Sequence, residues 1–243
     1  LGYGTYTDVI DSIALEEMAA RQAISRPSNS KQVQRVAFIQ KVGQKCGPQA
    51  EDGFSYSSSV GDLVMLKQVE YLRHANPDTV CYVIYDHMIT PGQMEVFYQS
   101  VQDTPNVFFT KGEVDKVSEG DTGNLLVDVD KTLLGGSIRL EVDMVVLASG
   151  MAPNSLEGEI LNMEYKQGPE LPTNLRGFAD SNYICFPYET RRTGFYAAGC
   201  IREPMDATAS REDATGAALK AIQSLEQIER GGAVHPRTSD LSL

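Results

Sequence analysis

Two segments of the chain join an apolar strand to small residues and a turn, which is a pattern typical of ligand-binding loops. In the first, the apolar run at residues 143–148 (DMVVLA) leads into Ser149 and Gly150. In the second, residues 193–199 (TGFYAAG) are followed by 200–206 (CIREPMD) and then by a helical pattern. Gly and Ala carry little bulk, so a ligand can approach the backbone of such a strand end closely.

The second segment also predicts a place for negative charge. A helix that begins near Ser210 presents free backbone N–H groups and the positive end of its dipole to a pyrophosphate or a reduced flavin ring. The polar residues around this point are also typical of a capped helix start and nothing more: Asp206, Ser210, Arg211, Glu212 and Asp213. Strand–glycine–helix turns are common in α/β folds, so it is the pair of segments that favours cofactor binding.

Other residue types with reactive side chains do not form a recognisable set. The four cysteines are Cys46, Cys81, Cys185 and Cys200, and none lie at CxxC spacing. Neither a structural zinc site nor a local iron–sulfur loop is encoded in this way. The three histidines, His74, His87 and His235, are far apart in sequence. Hydrolytic catalysis therefore has little support.

Composition excludes two further classes of partner. The chain has 33 acidic against 21 basic residues and a net charge of −12. Such a chain is repelled by nucleic acid and by anionic lipid surfaces, so we expect no nucleic-acid partner. No apolar run approaches the roughly 18–20 residues needed to span a bilayer, so we expect no direct membrane insertion. The sequence opens without Met or a signal-peptide pattern, which we interpret as a processed or excised segment of a cytoplasmic protein.

The pattern of apolar residues predicts an α/β fold. Residues 5–24 have helical spacing and are followed by a polar linker at 26–31. Strands are predicted at 35–40, 80–85 and 107–110, alternating with helices at 62–74 and 92–102. The continuous apolar run VCYVIY at 80–85 is typical of a parallel sheet that is buried on both faces.

The rhythm then changes to period-2 segments. Residues 112–118, 124–130 and 137–142 predict an antiparallel meander, which leads into the strand at 143–148. A polar stretch follows at 155–180, and then a strand is predicted at 183–186 and a strand–turn at 194–199. A helix of about twenty residues is predicted from near Ser210 to before Gly231, because glycine commonly ends helices.

The motifs resemble those of a known group of flavoproteins. Residues 145–154 (VVLASGMAPN) resemble the second hinge motif of two-dinucleotide-binding-domain flavoproteins. Residues 194–200 (GFYAAGC) resemble their C-terminal FAD motif, in which Asp usually stands where this chain has Cys200. The Gly-Cys variant, followed by Pro204 and Asp206, is similar to the heterodisulfide reductase A family. The ending at 234–242 resembles the B subunit of the quinone-interacting membrane-bound oxidoreductase.

This resemblance implies a partial FAD/NAD(P)-binding fold with an inserted module. Residues 1–30 and 149–232 would belong to an FAD-binding domain, 31–148 to an inserted NAD-domain-like module, and 233–243 to a tail. The cofactor would be FAD, contacted by Ser149, Gly150, Pro153, Gly199, Cys200, Ile201, Asp206, Ala207 and Thr208. No catalytic side chain and no metal ligand is expected.

Departures from the family pattern affect the inserted module. The family usually carries four cysteines that ligate a [4Fe–4S] cluster, and the matching positions here are Lys41, Ser57, Gly61 and Asp62. None is a thiolate, so we expect no iron–sulfur cluster in this segment. Residues 42–47 (VGQKCG) also lack the G-x-G-x-x-G spacing, which argues against NAD(P)H binding there.

The resemblance implies an oxidoreductase subunit that transfers electrons through FAD to iron–sulfur and membrane subunits of a complex. The chain would be cytoplasmic, at the inner face of the membrane through its partners. Two alternatives stay open. One is a non-catalytic assembly or docking module derived from a flavoprotein, which the missing cluster ligands favour. The other is a pyridine-nucleotide:disulfide-type oxidoreductase, which would need a redox cysteine pair.

Overall fold

The structure is a computed structural model, and it describes residues 1–43, 56, 58–130, 132–133, 135–154, 171–182, 186–192 and 194–231. The chain divides into two compact units, Leu1–Gly150 and Met151–Leu243. Among the described residues, no helix is both long and apolar enough to cross a membrane.

A five-stranded parallel sheet forms the centre of the first unit. Its strands are β1 (Val9–Asp11), β2 (Arg35–Val42), β3 (Val80–Tyr85), β4 (Val107–Lys111) and β8 (Met144–Ser149), in the spatial order β1-β8-β2-β3-β4. All neighbouring pairs are parallel. Side chains on both faces of the central strands are buried, which is why β3 and residues 144–148 of β8 are apolar in sequence.

Three helices cover one face of this sheet. They are α1 (Ser12–Ala20), α2 (Ser59–Ala75) and α3 (Met94–Gln102). Helix α2 buries Met65, Leu66, Val69 and Leu72 against the strands, at the spacing of one helical face. It ends at Asn76, directly before a proline, because the residue before proline is disfavoured in helical conformation.

An antiparallel meander covers the other face. It consists of β5 (Glu113–Glu119), β6 (Leu125–Asp130) and β7 (Ile138–Val142), in that spatial order. Val127 and Val129 of β6 share a buried cluster with Ala37 and Val145 of the parallel sheet. The predicted α/β fold class, with a meander placed after the alternating strands and helices, is thus confirmed.

The start of the chain differs from its prediction. The spacing of residues 5–24 predicts one helix, but Val9–Asp11 form β1, which pairs with β8. The helix begins only at Ser12, where the Asp11 carboxylate accepts the Ala14 N–H at 2.8 Å. A three-residue strand with two apolar residues fits either periodicity, and only pairing with β8 decides between them. Residues 1–30 thus lie within the first unit, while their membership of an FAD-binding domain stays a prediction.

The second unit contains a small antiparallel pair and a long helix. The strands are β9 (Ser181–Asn182) and β10 (Phe186–Thr190), and the helix is α4 (Ala207–Glu229). The strand–turn predicted at 194–199 is present in short form, as an isolated bridge between Tyr196 and Glu189 that is followed by a short 3-10 helix at Gly199–Ile201. Helix α4 begins three residues earlier than expected. Most of the strand expected at 183–186 lies outside the described residues.

Candidate functional site

Helix α4 begins at a side-chain cap. The Asp206 backbone is extended, and its carboxylate accepts the Ala209 N–H at 2.8 Å. The cap provides an acceptor for one N–H group of the first turn, whereas the N–H groups of Ala207 and Thr208 have no acceptor within the helix. Both residues are exposed. Asp206 is therefore the residue that fixes the helix start, ahead of the predicted one.

A tight turn precedes this helix. Gly199 has φ of +70°, a left-handed conformation that glycine adopts without steric cost. The Arg202 N–H donates to the Gly199 carbonyl at 2.9 Å and closes the turn. The carbonyl of Ile201 accepts the Ala179 N–H at 2.8 Å, which attaches the turn to the stretch before β9.

The carboxylate of Asp213 holds the turn against α4. It accepts the Gly199 N–H at 2.7 Å, and its other oxygen accepts from the Arg202 guanidinium. The side chains of Arg202 and Asp213 are 5% and 11% exposed, so this ion pair is nearly removed from water. Buried pairs of this kind are rigid, because neither partner has an alternative that keeps its charge compensated.

An aromatic ring lies beside the same arginine. The Tyr188 ring centroid lies 4.7 Å from Arg202 Cζ, a cation–π distance. Tyr188 itself has φ of +72°. Its ring lies directly against Gly216 of α4, where a Cβ atom would overlap it. Residues of β10, the turn and α4 are thus locked together around the Gly199–Ile201 turn.

Cys200 lies in the turn with its side chain exposed. Its Sγ atom lies 3.5 Å from the Met205 carbonyl oxygen and 3.8 Å from Ser210 Oγ. In contrast, Cys81 is buried in β3, and burial raises the pKa of its thiol to about 12. Thiolate chemistry at Cys81 is therefore suppressed.

Three backbone N–H groups of this region are available to a ligand. Within the part of the chain that the structure describes, those of Cys200, Ala207 and Thr208 donate no hydrogen bond, whereas the Ile201 N–H belongs to the i→i+3 bonding of the 3-10 helix. One belongs to the turn and two to the first turn of α4, whose dipole places positive charge at this end. Such an arrangement can bind phosphate oxygens or an acceptor atom that carries negative charge.

The predicted residues of the other segment lie at the boundary between the two units. Ser149 ends β8, aligned in register with Val42 of β2, and is exposed, and Gly150 closes the first unit. Pro153 is buried and follows the boundary.

The remaining predicted residues come together within the second unit. They lie in the Gly199–Ile201 turn and at the start of α4, and they are Gly199, Cys200, Ile201, Asp206, Ala207 and Thr208. The structure thus groups six of the nine candidates by the elements that carry them.

The positions that match the family's cluster ligands contain a polar network in the first unit. Asp62 is 2% exposed, and its carboxylate accepts from Gln40 Nε2 at 2.7 Å and from the Ile89 N–H at 2.7 Å. Gln40 also donates to the His87 carbonyl at 2.8 Å and accepts the Asp86 N–H at 3.0 Å. These bonds join the end of β2, the first turn of α2 and the loop after β3.

Burial raises the pKa of the Asp62 carboxyl above its ordinary value of 3.8, although its hydrogen bonds to Ile89 and Gln40 act in the opposite direction. Of the other cluster-equivalent positions, Lys41 lies in β2 and Gly61 in α2, whereas Ser57 lies outside the described residues. Among the described residues, no three His, Cys, Asp or Glu side chains form a group that could hold a metal ion. The absence of a cluster stays a prediction.

Sequence reasoning missed three contributors to the candidate site: Tyr188, Arg202 and the true role of Asp213. The sequence pattern places Asp213 in a helix start, but it lies almost two turns inside α4. A repeat of Asp206 and Asp213 at seven-residue spacing places both near one face of the helix. That spacing is a weak sequence signal, and it does not reveal the bond to Gly199.

Comparison with known proteins gives the chain its relatives. No family model matches it. It is 29% identical over 235 residues to the first of two CoB–CoM heterodisulfide reductase iron-sulfur A subunits of Methanopyrus kandleri, covering 93% of this chain and 34% of that protein. It is 31% identical over 224 residues to the corresponding A subunit of Methanocaldococcus jannaschii, covering 89% of this chain and 33% of that protein. The chain thus spans about a third of the length of these relatives.

A solved structure supports the fold. The thioredoxin reductase of Lactococcus lactis superposes with a TM-score of 0.54 at 13% identity, covering 91% of this chain and 59% of that chain. This likeness concerns the fold alone, which is the FAD/NAD(P)-binding α/β fold with a parallel sheet and a separate antiparallel sheet. Over about nine-tenths of its own length, the chain is a homologue of heterodisulfide reductase A subunits, and its relatives are oxidoreductases.

Proposed function

We propose that the Gly199–Ile201 turn and the start of α4 form part of an FAD site in an electron-transfer protein. The observation that carries this proposal is the group of three open N–H donors at Cys200, Ala207 and Thr208. Ser149, Gly150 and Pro153 would also contact the cofactor, as the resemblance to the hinge motif implies.

The residues present fit an anionic, flat cofactor. Gly199 has no side chain, and the first residue of the helix, Ala207, has only a methyl group. Neither residue therefore blocks the close approach of a cofactor to the backbone. The Arg202 charge is engaged by Asp213, which leaves the helix dipole and the N–H groups as the local positive potential. Such preorganised donors stabilise negative charge without reorganisation.

A bound flavin supplies the redox chemistry by accepting and releasing electrons. The chain itself would hold the cofactor, orient it and stabilise negative charge at the N–H groups of Cys200, Ala207 and Thr208. No side chain of this region is needed as an acid or a base. The exposed Cys200 would lie beside the cofactor, at the position where other flavoproteins with this motif carry Asp.

The larger assembly is proposed from the relatives. Residues 1–30 and 149–232 would complete one FAD-binding domain, with 31–148 inserted, and electrons would pass between iron–sulfur partners. The names of the relatives support such partners. The resemblance of the ending at 234–242 supports a quinone-interacting complex in sulfate-reducing metabolism. The protein would then lie at the inner face of the membrane, carrying no iron–sulfur cluster in this segment.

The first test is the flavin content of the complete encoded chain, including any residues outside the printed sequence. After denaturation, the released flavin is quantified against protein, and the visible spectrum is recorded before release. Near-stoichiometric FAD supports the proposal. A colourless protein that takes up no added FAD contradicts it and leaves the docking module. Rapid hydride transfer from NAD(P)H would favour the pyridine-nucleotide alternative instead.

A backbone substitution tests the site itself. Ala207 is the first residue of α4, where proline is tolerated because its missing N–H is already outside the helical pattern. Ala207→Pro removes one open donor and keeps the helix. A charge-assisted hydrogen bond contributes about 1.5–3 kcal/mol, so FAD affinity should fall by roughly tenfold or more. Ser59→Pro, the same change at the first residue of α2, is the matched control and should leave FAD affinity unchanged.

A further inference from the structure

We infer that Asp213 is a positioning residue: it fixes the Gly199–Ile201 turn on α4 and so sets the spacing between the open N–H donor of Cys200 and the two at the start of α4. The inference rests on the proposed function, because it concerns how the same site is held. It assigns a role to a side chain that is bonded to none of the three open donors.

Asp213 holds both ends of the turn with one carboxylate. One oxygen accepts the Gly199 N–H at 2.7 Å, at the first residue of the turn. The other accepts from Arg202, which directly follows its last residue. The backbone of Arg202 closes the same turn on the Gly199 carbonyl at 2.9 Å. The turn therefore cannot slide along α4 without breaking contacts at both ends.

The arginine end is fixed from a second direction. Tyr188 of β10 lies over the guanidinium at 4.7 Å, and its ring rests on Gly216, about one turn beyond Asp213 in α4. The ion pair is nearly excluded from water, so its geometry is not averaged over solvent-separated states. These contacts make the turn and the second and third turns of α4 one rigid element.

The position of the donors follows from this element. The Gly199 N–H is occupied by Asp213 and the Ile201 N–H by the 3-10 helix, so in the turn the ligand would meet the N–H of Cys200. The other two donors, at Ala207 and Thr208, lie at the start of the helix that carries Asp213. All three donors therefore share one frame. A displacement of the turn by about 1 Å is enough to weaken contacts to a bound group strongly.

Two double variants isolate the bond to Gly199. Arg202→Met with Asp213→Leu replaces the buried pair by apolar side chains of similar size, which proteins often tolerate. It removes the acceptor for the Gly199 N–H. Arg202→Met with Asp213→Asn also removes both charges but keeps an acceptor oxygen. FAD affinity and the flavin absorption spectrum are measured for both in the complete encoded chain, beside the wild type.

The expected result is a difference between the two variants. The Met/Asn protein should bind FAD within about threefold of the wild type, whereas the Met/Leu protein should bind roughly tenfold more weakly, with a shifted flavin spectrum. Equal affinities in the two variants would overturn the inference even when the wild type binds FAD. A wild type without flavin would overturn the proposed function and, with it, this role.

Hydrogen exchange of the wild type tests the same point without substitution. The Gly199 amide should be protected before FAD is added, and the amide of Cys200 should gain protection only afterwards. A Gly199 amide that exchanges freely in the absence of FAD would contradict the positioning role.

For the affinity measurements, Asp62→Asn is the matched control. It alters a buried carboxylate that also accepts a backbone N–H, and it should leave FAD affinity unchanged.

Discussion

Two buried aspartates, one in each unit, make the same kind of contact with opposite consequences. Asp62 and Asp213 each accept one backbone N–H and one side-chain donor from another element. The side-chain donor is a neutral amide, Gln40, in the first unit and a guanidinium, Arg202, in the second. The first carboxylate is therefore buried with neutral donors, and the second is buried with a compensating charge.

The two networks differ in whether polar groups remain open to a ligand. In the first unit, Gln40 and Asp62 bind one another and the loop after β3, so the strand end is filled by the protein's own polar groups. In the second, Asp213 and Arg202 bind one another and fix the turn that carries the open donor of Cys200. A buried carboxylate can thus close a strand end or support an open turn, and its partner decides which.

The largest expected effect comes from Asp213→Ala. It removes the carboxylate of a buried ion pair and should destabilise the second unit by about 3–5 kcal/mol. Hydrogen exchange of the α4 amides during denaturant titration measures this change. Asp180→Ala is the control in the same unit, because the Asp180–Arg191 pair is more exposed and should cost below about 1 kcal/mol. Equal losses would show that burial of the pair does not matter.

The Asp62→Ala substitution should cost less. It leaves the Ile89 N–H without its acceptor, while Gln40 keeps its bond to the His87 carbonyl. Loss of a buried acceptor costs about 1–3 kcal/mol, which urea unfolding of the first unit would detect. Asp128→Ala serves as control, because its pair with Arg139 is largely exposed. A cost as large as that of Asp213→Ala would remove the distinction between a neutral and a charged partner.

Gly216→Ala tests the role of the Tyr188 ring, which lies between Gly216 and Arg202 in the second network. The new methyl group would overlap the Tyr188 ring and push it from Arg202, while alanine favours the helix by about 1 kcal/mol. Overpacking costs about 1–3 kcal/mol, so a net loss of about 1 kcal/mol is expected in the unfolding free energy. Gly136→Ala, where no atom lies near the new methyl group, should change stability by less than about 0.5 kcal/mol. A stabilised Gly216→Ala protein would show that Tyr188 is not needed beside the arginine.

The sequence predicts local features, such as buried strands, turns and helix caps, better than contacts between different elements. The strand at 80–85 matches β3 because burial on both faces leaves an uninterrupted apolar run. Gly199, Asp206 and Thr208 could be found as site candidates because turns and caps are local. Tertiary contacts have no local sequence pattern. The pairing of Arg202 with Asp213 is an example, because it joins a turn to the interior of a helix.

The same reason explains the errors at the element level. Sequence spacing places Val9 and Ile10 in a helix because three residues cannot show period 2, and their pairing with β8 joins positions more than 130 residues apart. The pattern also starts α4 near Ser210, although Asp206 is the residue that accepts an N–H three positions on. Several polar residues close together all qualify as caps, and only the backbone conformation selects one.

The smallest expected effect is a pH dependence in the first network. Because burial raises the Asp62 pKa above 3.8, the folded protein holds this proton more tightly than the unfolded chain does. The contribution of Asp62 to the free energy of unfolding therefore falls as pH rises from 3.8 through the raised pKa, and stays low above it. Asp62→Asn cannot titrate, so its stability relative to the wild type should improve over that interval.

Urea unfolding of both proteins in steps from about pH 3.5 to about pH 7 isolates this contribution, because other titrating groups cancel in the difference. Asp62→Asn also loses one acceptor, so its absolute stability is lower and only the slope is informative. A difference that instead favours the wild type as pH rises would mean that the Asp62 pKa is lowered in the fold. Its neutral partners would then stabilise the ionised carboxylate more than burial opposes it, and the first network would resemble the charge-compensated second one.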